Sequence, residues 1–322
     1  MNILLTGGTG FIGGAFLSRT VGKLNYTLRA ALRKTCPKNL MPPEIQQILV
    51  GDLAPTTDWF DAVKGCDVVV HCAARAHILH DRAADPLAEF RKINSSGTIN
   101  LASQSLAAGV KRFIFLSSIG VNGNETIIPF TENDQPNPTE PYAISKLQAE
   151  NGLWQLSAHS RMEIVIIRPP LVYGPNAPGN FGRLLRWVRR GLPLPLGAIH
   201  NKRSFVALDN LVDLIVTCLE HPAAANQTFL AGDGEDLSTT TLLQRVALAF
   251  GKSSRLIPVP MRVLHLIGVL LGKKTMIKSL CGSLQVDISK ARRELGWTPP
   301  ISVEEGLRRT VEGNNQLGGK SF

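Results

Sequence analysis

The first two-thirds of the chain alternates short apolar runs with longer stretches in which apolar residues return every three or four positions. NILLT (2–6), YTLRAAL (26–32), IQQILV (45–50), DVVVHC (67–72), RFIFLSS (112–118) and MEIVIIR (162–168) predict six strands. Several are apolar without a break, as parallel strands covered on both faces should be. Strands separated by helical stretches argue for an α/β fold built on a doubly wound parallel sheet. Two connections are unusual. TCPKNLMPPE (35–44) has three prolines and no helical period, and is predicted to replace a crossover helix. NGNETIIPFTENDQPNPTEP (122–141) is a long Pro/Asn-rich loop between a strand and a helix, a place where function concentrates.

After Arg168 the alternation fails. PPLVYGPNAPGN (169–180) is turn-rich, a helix is predicted near 181–190, and RSFVALDNLVDLIVTCLEH (203–221) reads as a strand plus a helix. The expected organisation is a sheet domain of residues 1–169 plus 201–223, a smaller α/β C-terminal lobe of 170–200 plus 224–312, and a frayed tail, 313–322. The apolar run VLHLIGVLLG (263–272) is too short to span a bilayer. The longer RVLHLIGVLLGKKTMIKSL (262–280) reads as a lobe-packing helix, with contact to a membrane surface as the alternative.

Gly7, Gly10 and Gly13 follow the first strand and open the next helix. In that context G-x-x-G-x-x-G is a dinucleotide turn, and the sheet domain is predicted to be of the Rossmann type. Gly7 allows the tight turn, Gly10 lets a pyrophosphate approach, and Gly13 permits close helix–strand packing. The helix beginning at Phe11 directs N–H groups at the phosphates. Twenty residues beyond Gly13 stands Arg33, and no acid lies between Gly13 and Glu44. An acid at that place grips the ribose of NAD, whereas arginine pairs with a 2′-phosphate. The expected cofactor is therefore NADP(H), with NAD(H) as the alternative. Asp52, after the third strand, is the expected partner of the adenine edge.

PYAISK (141–146) places Tyr142 and Lys146 four residues apart, on one face of a helix. A free phenol has a pKa of about 10, too high for proton transfer near neutrality, and an adjacent ammonium lowers it. The strand before this helix ends in Ser117-Ser118, and strand carboxyl ends line the cleft in such sheets. Ser118 can hold a carbonyl beside Tyr142.

These residues, with HCAA (71–74), FLSS (115–118), YAISK (142–146) and RPPLVYGP (168–175), resemble the extended short-chain dehydrogenase/reductase family over nearly the whole chain. Most of its members act on nucleotide-linked sugars. The resemblance implies Ser118 as the substrate-orienting hydroxyl, Tyr142 as general acid/base and Lys146 as its partner and ribose anchor. It implies a cofactor site of Gly7, Gly10, Phe11, Ile12, Gly13, Arg33, Asp52, Leu53, Ala73, Ala74 and Pro169 with Tyr142 and Lys146. It assigns Asn94 to structural support, Arg203 and Asn180 to the sugar-nucleotide diphosphate, and pairing of helices 86–109 and 141–158 to a homodimer. Arg292 reads as a solvated helix residue, with phosphate contact as the alternative. Where the family often has V-Y-G, this chain has Val121-Asn122-Gly123, which is expected to alter the pocket wall. VVHCAARAH (69–77) and HPAAANQTFL (221–230) most resemble members that reduce the C4 ketone of UDP-2-acetamido-2,6-dideoxy-α-D-xylo-hexos-4-ulose to UDP-N-acetylquinovosamine for surface polysaccharide (O-antigen). That reductase is the expected function, with a UDP-sugar 4-epimerase that retains its NAD as runner-up. A catalytically silent cofactor sensor is the third reading, disfavoured because Ser118, Tyr142 and Lys146 are all present.

Charge and cysteine content add little. A net charge of +10 suits phosphorylated ligands or is incidental, and no basic block or nucleic-acid motif accompanies it. The five cysteines show no metal-like spacing and read as reduced thiols of a cytoplasmic protein. No secretory signal is expected from the amino terminus.

Overall fold

The computed structural model describes residues 1–37, 41–76, 83–270, 272 and 274–317. Among the described residues the strands are β1 (Asn2–Thr6), β2 (Thr27–Leu32), β3 (Gln46–Leu49), β4 (Val68–His71), β5 (Arg112–Leu116), β6 (Glu163–Arg168), β7 (Leu171–Tyr173), β8 (Arg203–Ala207), β9 (Gln227–Leu230) and β10 (Asp236–Leu237). Seven form one sheet in the order β3-β2-β1-β4-β5-β6-β9, every neighbouring pair parallel. The other three form a small sheet, β10-β8-β7. The helices are α1 (Phe11–Thr20), α2 (Phe60–Val63), α3 (Pro86–Phe90), α4 (Thr98–Ala107), α5 (Pro141–Ala158), α6 (Gly179–Arg189), α7 (Leu208–Glu220), α8 (Thr239–Ala249), α9 (Met261–Leu270), α10 (Lys274–Cys281), α11 (Ser289–Leu295) and α12 (Val303–Leu317).

Strand side chains alternate between the two faces of the sheet. Ile3, Leu5, Ile114, Leu116, Val165 and Ile167 join a core with Phe16 of α1 and Leu211 and Ile215 of α7. Leu4, Phe113, Phe115, Ile164 and Ile166 join a core with Leu101 of α4 and Ala149 and Leu153 of α5 on the opposite face. This double coverage explains the unbroken apolar runs. The stripes assigned to a dimer thus also serve the chain's own core. A third core, including Phe181, Leu185, Leu243, Val246 and Leu264, holds the smaller lobe.

Four expectations need correction. Residues 224–312 do not all belong to the smaller lobe, because β9 extends the large sheet beside β6, and Ala291 and Leu295 of α11 pack into its core. Conversely, β8, expected in the sheet domain, pairs with β7 and β10 in the small sheet. Strand partners are chosen across long sequence separations, which a local pattern does not report. The tail does not begin at 313, since α12 continues to Leu317. Asn122 does not alter the pocket wall: its side chain is buried and joined to Arg168.

Among the described residues no helix joins β2 to β3, and Lys38–Leu40 of that loop lie outside them. So do His77 of the VVHCAARAH segment, Leu271 and Lys273 within 262–280, and the last five residues of the expected tail, 318–322.

A buried polar knot fastens α5 to the sheet. Arg168, at the end of β6, donates from Nε and Nη2 to the two carboxylate oxygens of Glu150, at 3.0 and 2.5 Å. Its Nη1 donates to Asn122 Oδ1 at 2.9 Å, and Asn122 Nδ2 donates to the Thr131 carbonyl. Ser117 Oγ donates to Glu150 Oε1 at 2.5 Å. Glu150 and Arg168 side chains are 1% and 7% exposed, so breaking one partner strands the other charge in the core. Arg168→Leu is expected to lower unfolding free energy by about 3–5 kcal/mol in urea titrations, and Arg168→Leu/Glu150→Leu to recover part of that loss. A single variant as stable as the wild type would contradict the assignment.

Candidate active site

The glycine turn is closed to side chains. Gly7 has φ +77°, and its carbonyl accepts the Gly10 N–H at 2.9 Å. A Cβ at Gly7 would stand 2.8 Å from Ala73 N, and one at Gly13 would stand 2.2 Å from the Gly7 carbonyl oxygen. Gly13 is therefore required by the turn itself more than by helix–strand packing. Gly10 caps α1 without a side-chain hydrogen bond, so the N–H groups of the first turn, Phe11 and Ile12 among them, are left for an anion. Beside the turn, Thr6 Oγ1 contacts His71 Nδ1 at 2.6 Å and accepts from Ala73 N at 3.2 Å, which ties the ends of β1 and β4. Strand order reverses between these two strands, where a parallel sheet opens its ligand crevice. A turn that a Cβ would fill, at a switch point, fits a dinucleotide pyrophosphate.

Around the crevice, Ala74 is exposed and Leu53 is buried against Gly97. The Pro169 carbonyl accepts Ile119 N–H at 2.9 Å. At the ends of β2 and β3, Arg33 Nη1 lies 3.9 Å from Asp52 Oδ1, with both side chains more than three-quarters exposed. The pair adds little stability. It does place a carboxylate beside the arginine that the sequence presents as having no competing acid, because β3 supplies from across the sheet what β2 lacks. This removes the basis for a preference for NADP.

Ser118 follows the carboxyl end of β5, and Tyr142 and Lys146 stand four residues apart in the first turns of α5. Ser118 caps the short 3-10 turn Ile119–Val121, and its Oγ accepts Gly120 N–H at 3.1 Å, leaving its own proton to donate elsewhere. A Cβ at Gly120 would stand 3.1 Å from Ala143 Cβ and 3.4 Å from Ser118 Oγ, so α5 seats directly against the serine. Pro141 opens α5, where its missing N–H costs nothing. The Tyr142 ring meets Phe90 edge-on at 6.1 Å. Lys146 is 2% exposed, with Nζ 4.0 Å over the Phe115 ring, which stacks on His71.

Burial dominates the electrostatics. It brings the Lys146 ammonium down to about 7, against the opposing pull of Glu150 and Cys72. It pushes the Tyr142 phenol up to about 12, the His71 imidazole down to about 3 and the Cys72 thiol up to about 12. The expected lowering of the Tyr142 pKa by its lysine is therefore not present in this state. Desolvation is the cause of the Tyr142 shift.

Asn94 bridges the segment after β4 to the first turn of α5. It lies in the π-helical turns Arg91–Gly97 between α3 and α4. Its Oδ1 accepts Arg75 N–H at 2.8 Å, and its Nδ2 donates to the Arg75 carbonyl and to Ser145 Oγ. Ser145 in turn donates to the Tyr142 carbonyl. Glu150 was missed by the sequence reading, although its place two turns beyond Tyr142 on the same helical face was visible. Asn180 and Arg203 stand apart in the smaller lobe. Asn180 is exposed near the start of α6. Arg203 Nη1 donates to the Ser279 and Gly282 carbonyls at 2.8 and 2.9 Å. Arg292 is exposed on α11, with its guanidinium beside Gly234.

The buried lysine sets a pH dependence. Its folded pKa of about 7 lies below its ordinary value of 10.5, so the unfolded chain binds more protons between the two and stability from this group rises with pH there. Lys146→Met is expected to raise Tm at pH 7 and to flatten the rise between pH 7 and 9. Above 9 the raised Cys72 thiol opposes the rise. Thermal melts across that range check this, and unchanged pH dependence in the variant counts against it.

The NAD dependent epimerase/dehydratase family model matches residues 3–232. The chain is 46% identical to a UDP-glucose 4-epimerase of Vibrio cholerae, over 97% of this chain and 94% of that one. It is 30% identical to the N-acetyl-alpha-D-glucosaminyl-diphospho-ditrans,octacis-undecaprenol 4-epimerase of Escherichia coli O157:H7, over 97% and 94%. The fold matches the crystal structure of UDP-glucuronic acid 4-epimerase from Bacillus cereus in complex with NAD, with a TM-score of 0.80, 24% identity and coverage of 100% and 99%. With its glycine turn, its parallel sheet and this extent of similarity, the chain belongs to the NAD-dependent epimerase/dehydratase family of extended short-chain dehydrogenases/reductases.

Proposed function

We propose that this protein is a UDP-sugar 4-epimerase that retains NAD through the catalytic cycle. The observation that carries this reading over the expected 4-keto-reductase is the 46% identity, across 97% of the chain, to the Vibrio cholerae UDP-glucose 4-epimerase. The carboxylate of Asp52 beside Arg33 offsets part of the arginine's charge, which weakens the case for a 2′-phosphate and is compatible with NAD. Gly7, Gly10 and Gly13 would hold the pyrophosphate against the first turn of α1. Leu53, Ala73, Ala74 and Pro169 would line the rest of the cofactor crevice.

When bound, NAD supplies reversible hydride acceptance at C4 of the sugar. The protein's own groups handle the proton. Tyr142 Oη takes the proton of the sugar 4-hydroxyl and returns it after the ketone has turned over. Ser118 Oγ, already accepting from Gly120, directs its proton to the same sugar oxygen. Lys146 holds the cofactor ribose and supplies a positive charge that makes Tyr142 easier to ionise once a ligand fills the site. The Asn94–Ser145 bridge positions the first turn of α5. Arg203 and Asn180 receive the diphosphate from the smaller lobe. Two copies pairing through α4 and α5 remain part of this proposal.

The test uses protein as purified. Denaturation is expected to release stoichiometric NAD, and the native enzyme to interconvert UDP-glucose and UDP-galactose, or their N-acetylated counterparts, without added cofactor. Tyr142→Phe should lower kcat by about 10²–10⁴-fold with nucleotide content unchanged. Protein that is empty, exchanges NADPH and consumes a 4-keto sugar nucleotide would instead be the reductase. A Tyr142→Phe variant with full turnover would remove the assigned acid/base.

A further inference from the structure

Helix α9 carries apolar side chains on both of its faces. Its inner face, Leu264 and Gly268, is buried, and Leu264 joins the lobe core. Its outer face holds Val263, Leu266, Ile267 and Leu270, which are 43%, 60%, 41% and 76% exposed. A helix that only packs a soluble lobe needs one apolar stripe. The lobe-packing reading of 262–280 accounts for the inner stripe and leaves the outer one unexplained.

The charge around this face is one-sided. From Leu237 to Val286 the chain contains no Asp or Glu, and it carries seven Lys or Arg residues. Arg255 and Arg262 are exposed, and Lys278 on α10 is 59% exposed. Arg245 on α8 pairs with Glu235 and Glu304, and Lys278 lies 3.5 Å from Glu125 in a solvent-accessible pair of little strength. Glu125 belongs to the loop whose tip, Ile127 and Ile128, is 97% and 74% exposed. That loop is tied to the end of α10 by the Thr126 N–H to Ser283 carbonyl bond.

Exposed aliphatic residues on a short helix, within a stretch of cations without acids, match the chemistry of an anionic bilayer surface. Apolar side chains enter the headgroup boundary while Lys and Arg meet acidic headgroups. Ten residues make a helix of about 15 Å, which lies in the interface and cannot span the bilayer. A second copy is a poorer occupant, because a symmetric contact would set one acid-free basic stretch against another.

We propose that the outer face of α9, with the flanking basic residues of α10 and the 251–260 loop, docks this protein on an anionic phospholipid surface. The inference does not depend on the epimerase reading. Arg203 is bound to carbonyls at the carboxyl end of α10, so docking would leave the smaller lobe next to the membrane with its site one helix away.

The experiment is co-sedimentation of the full chain with vesicles of phosphatidylglycerol and phosphatidylcholine, and with phosphatidylcholine alone. It compares the wild type, Leu266→Asp/Leu270→Asp and Arg255→Gln/Arg262→Gln, with light scattering on each without lipid. The wild type should sediment with the anionic vesicles only. Each variant should lose about tenfold in bound-to-free ratio while keeping the wild-type Tm and oligomeric state. The proposal fails if the wild type ignores anionic vesicles. It also fails if Leu266→Asp/Leu270→Asp binds them as well as the wild type does, which would reduce the effect to overall positive charge. A variant that breaks up a wild-type oligomer would assign the face to a second copy and overturn the proposal.

Discussion

The Glu150–Arg168 ion pair is the constraint on which the site's geometry depends. It sits where the ends of β5 and β6 meet α5, and both charges are almost fully buried. Through Ser117 it holds the strand end that presents Ser118, and through Asn122 it holds the start of the long 122–141 loop. Tyr142 and Lys146 lie on the same helix as Glu150, two turns and one turn towards its start. A helix fixed at Glu150 by three charge-assisted hydrogen bonds cannot slide or rotate without stranding a charge. The first turns of α5 are thereby placed by a buried ion pair further along the helix.

The same burial shapes the chemistry. Lys146 lies between the Phe115 ring and the dry interior, where a full positive charge is poorly solvated. Its nearest compensation is the carboxylate already shared with Arg168. The lysine is therefore a reserve of positive charge close to its titration point, and Tyr142 is a neutral phenol until something alters the field around it. Asn94 and Ser145 add rigidity of a neutral kind, linking the π-helical turn to the Tyr142 carbonyl.

The dinucleotide crevice is organised by contact distances more than by charge. Gly7 and Gly13 have no room for a methyl group, and their tightness is what brings the start of α1 up to the end of β4. Specificity at the far end is electrostatic and weakly held, since Arg33 and Asp52 are both exposed and flexible in reach. The outer face of α9 stands at the opposite extreme, with apolar area left in water.

The local pattern alone determined the six principal strands and the glycine turn, because each follows from periodicity or from a motif confined to a few dozen residues, and it singled out Ser118, Tyr142 and Lys146 as candidates. Tertiary structure decided what depends on non-local neighbours. β9 reads as four unremarkable residues until it pairs with β6, and β8 looks like part of the large sheet until β7 and β10 claim it. Asn122 looks like a pocket substitution until Arg168 reaches it. Arg33 looks unopposed until β3 sets Asp52 beside it. Tyr142 looks activated by its lysine until burial is counted. In each case the deciding term is a contact or a desolvation, and neither exists before the chain has folded.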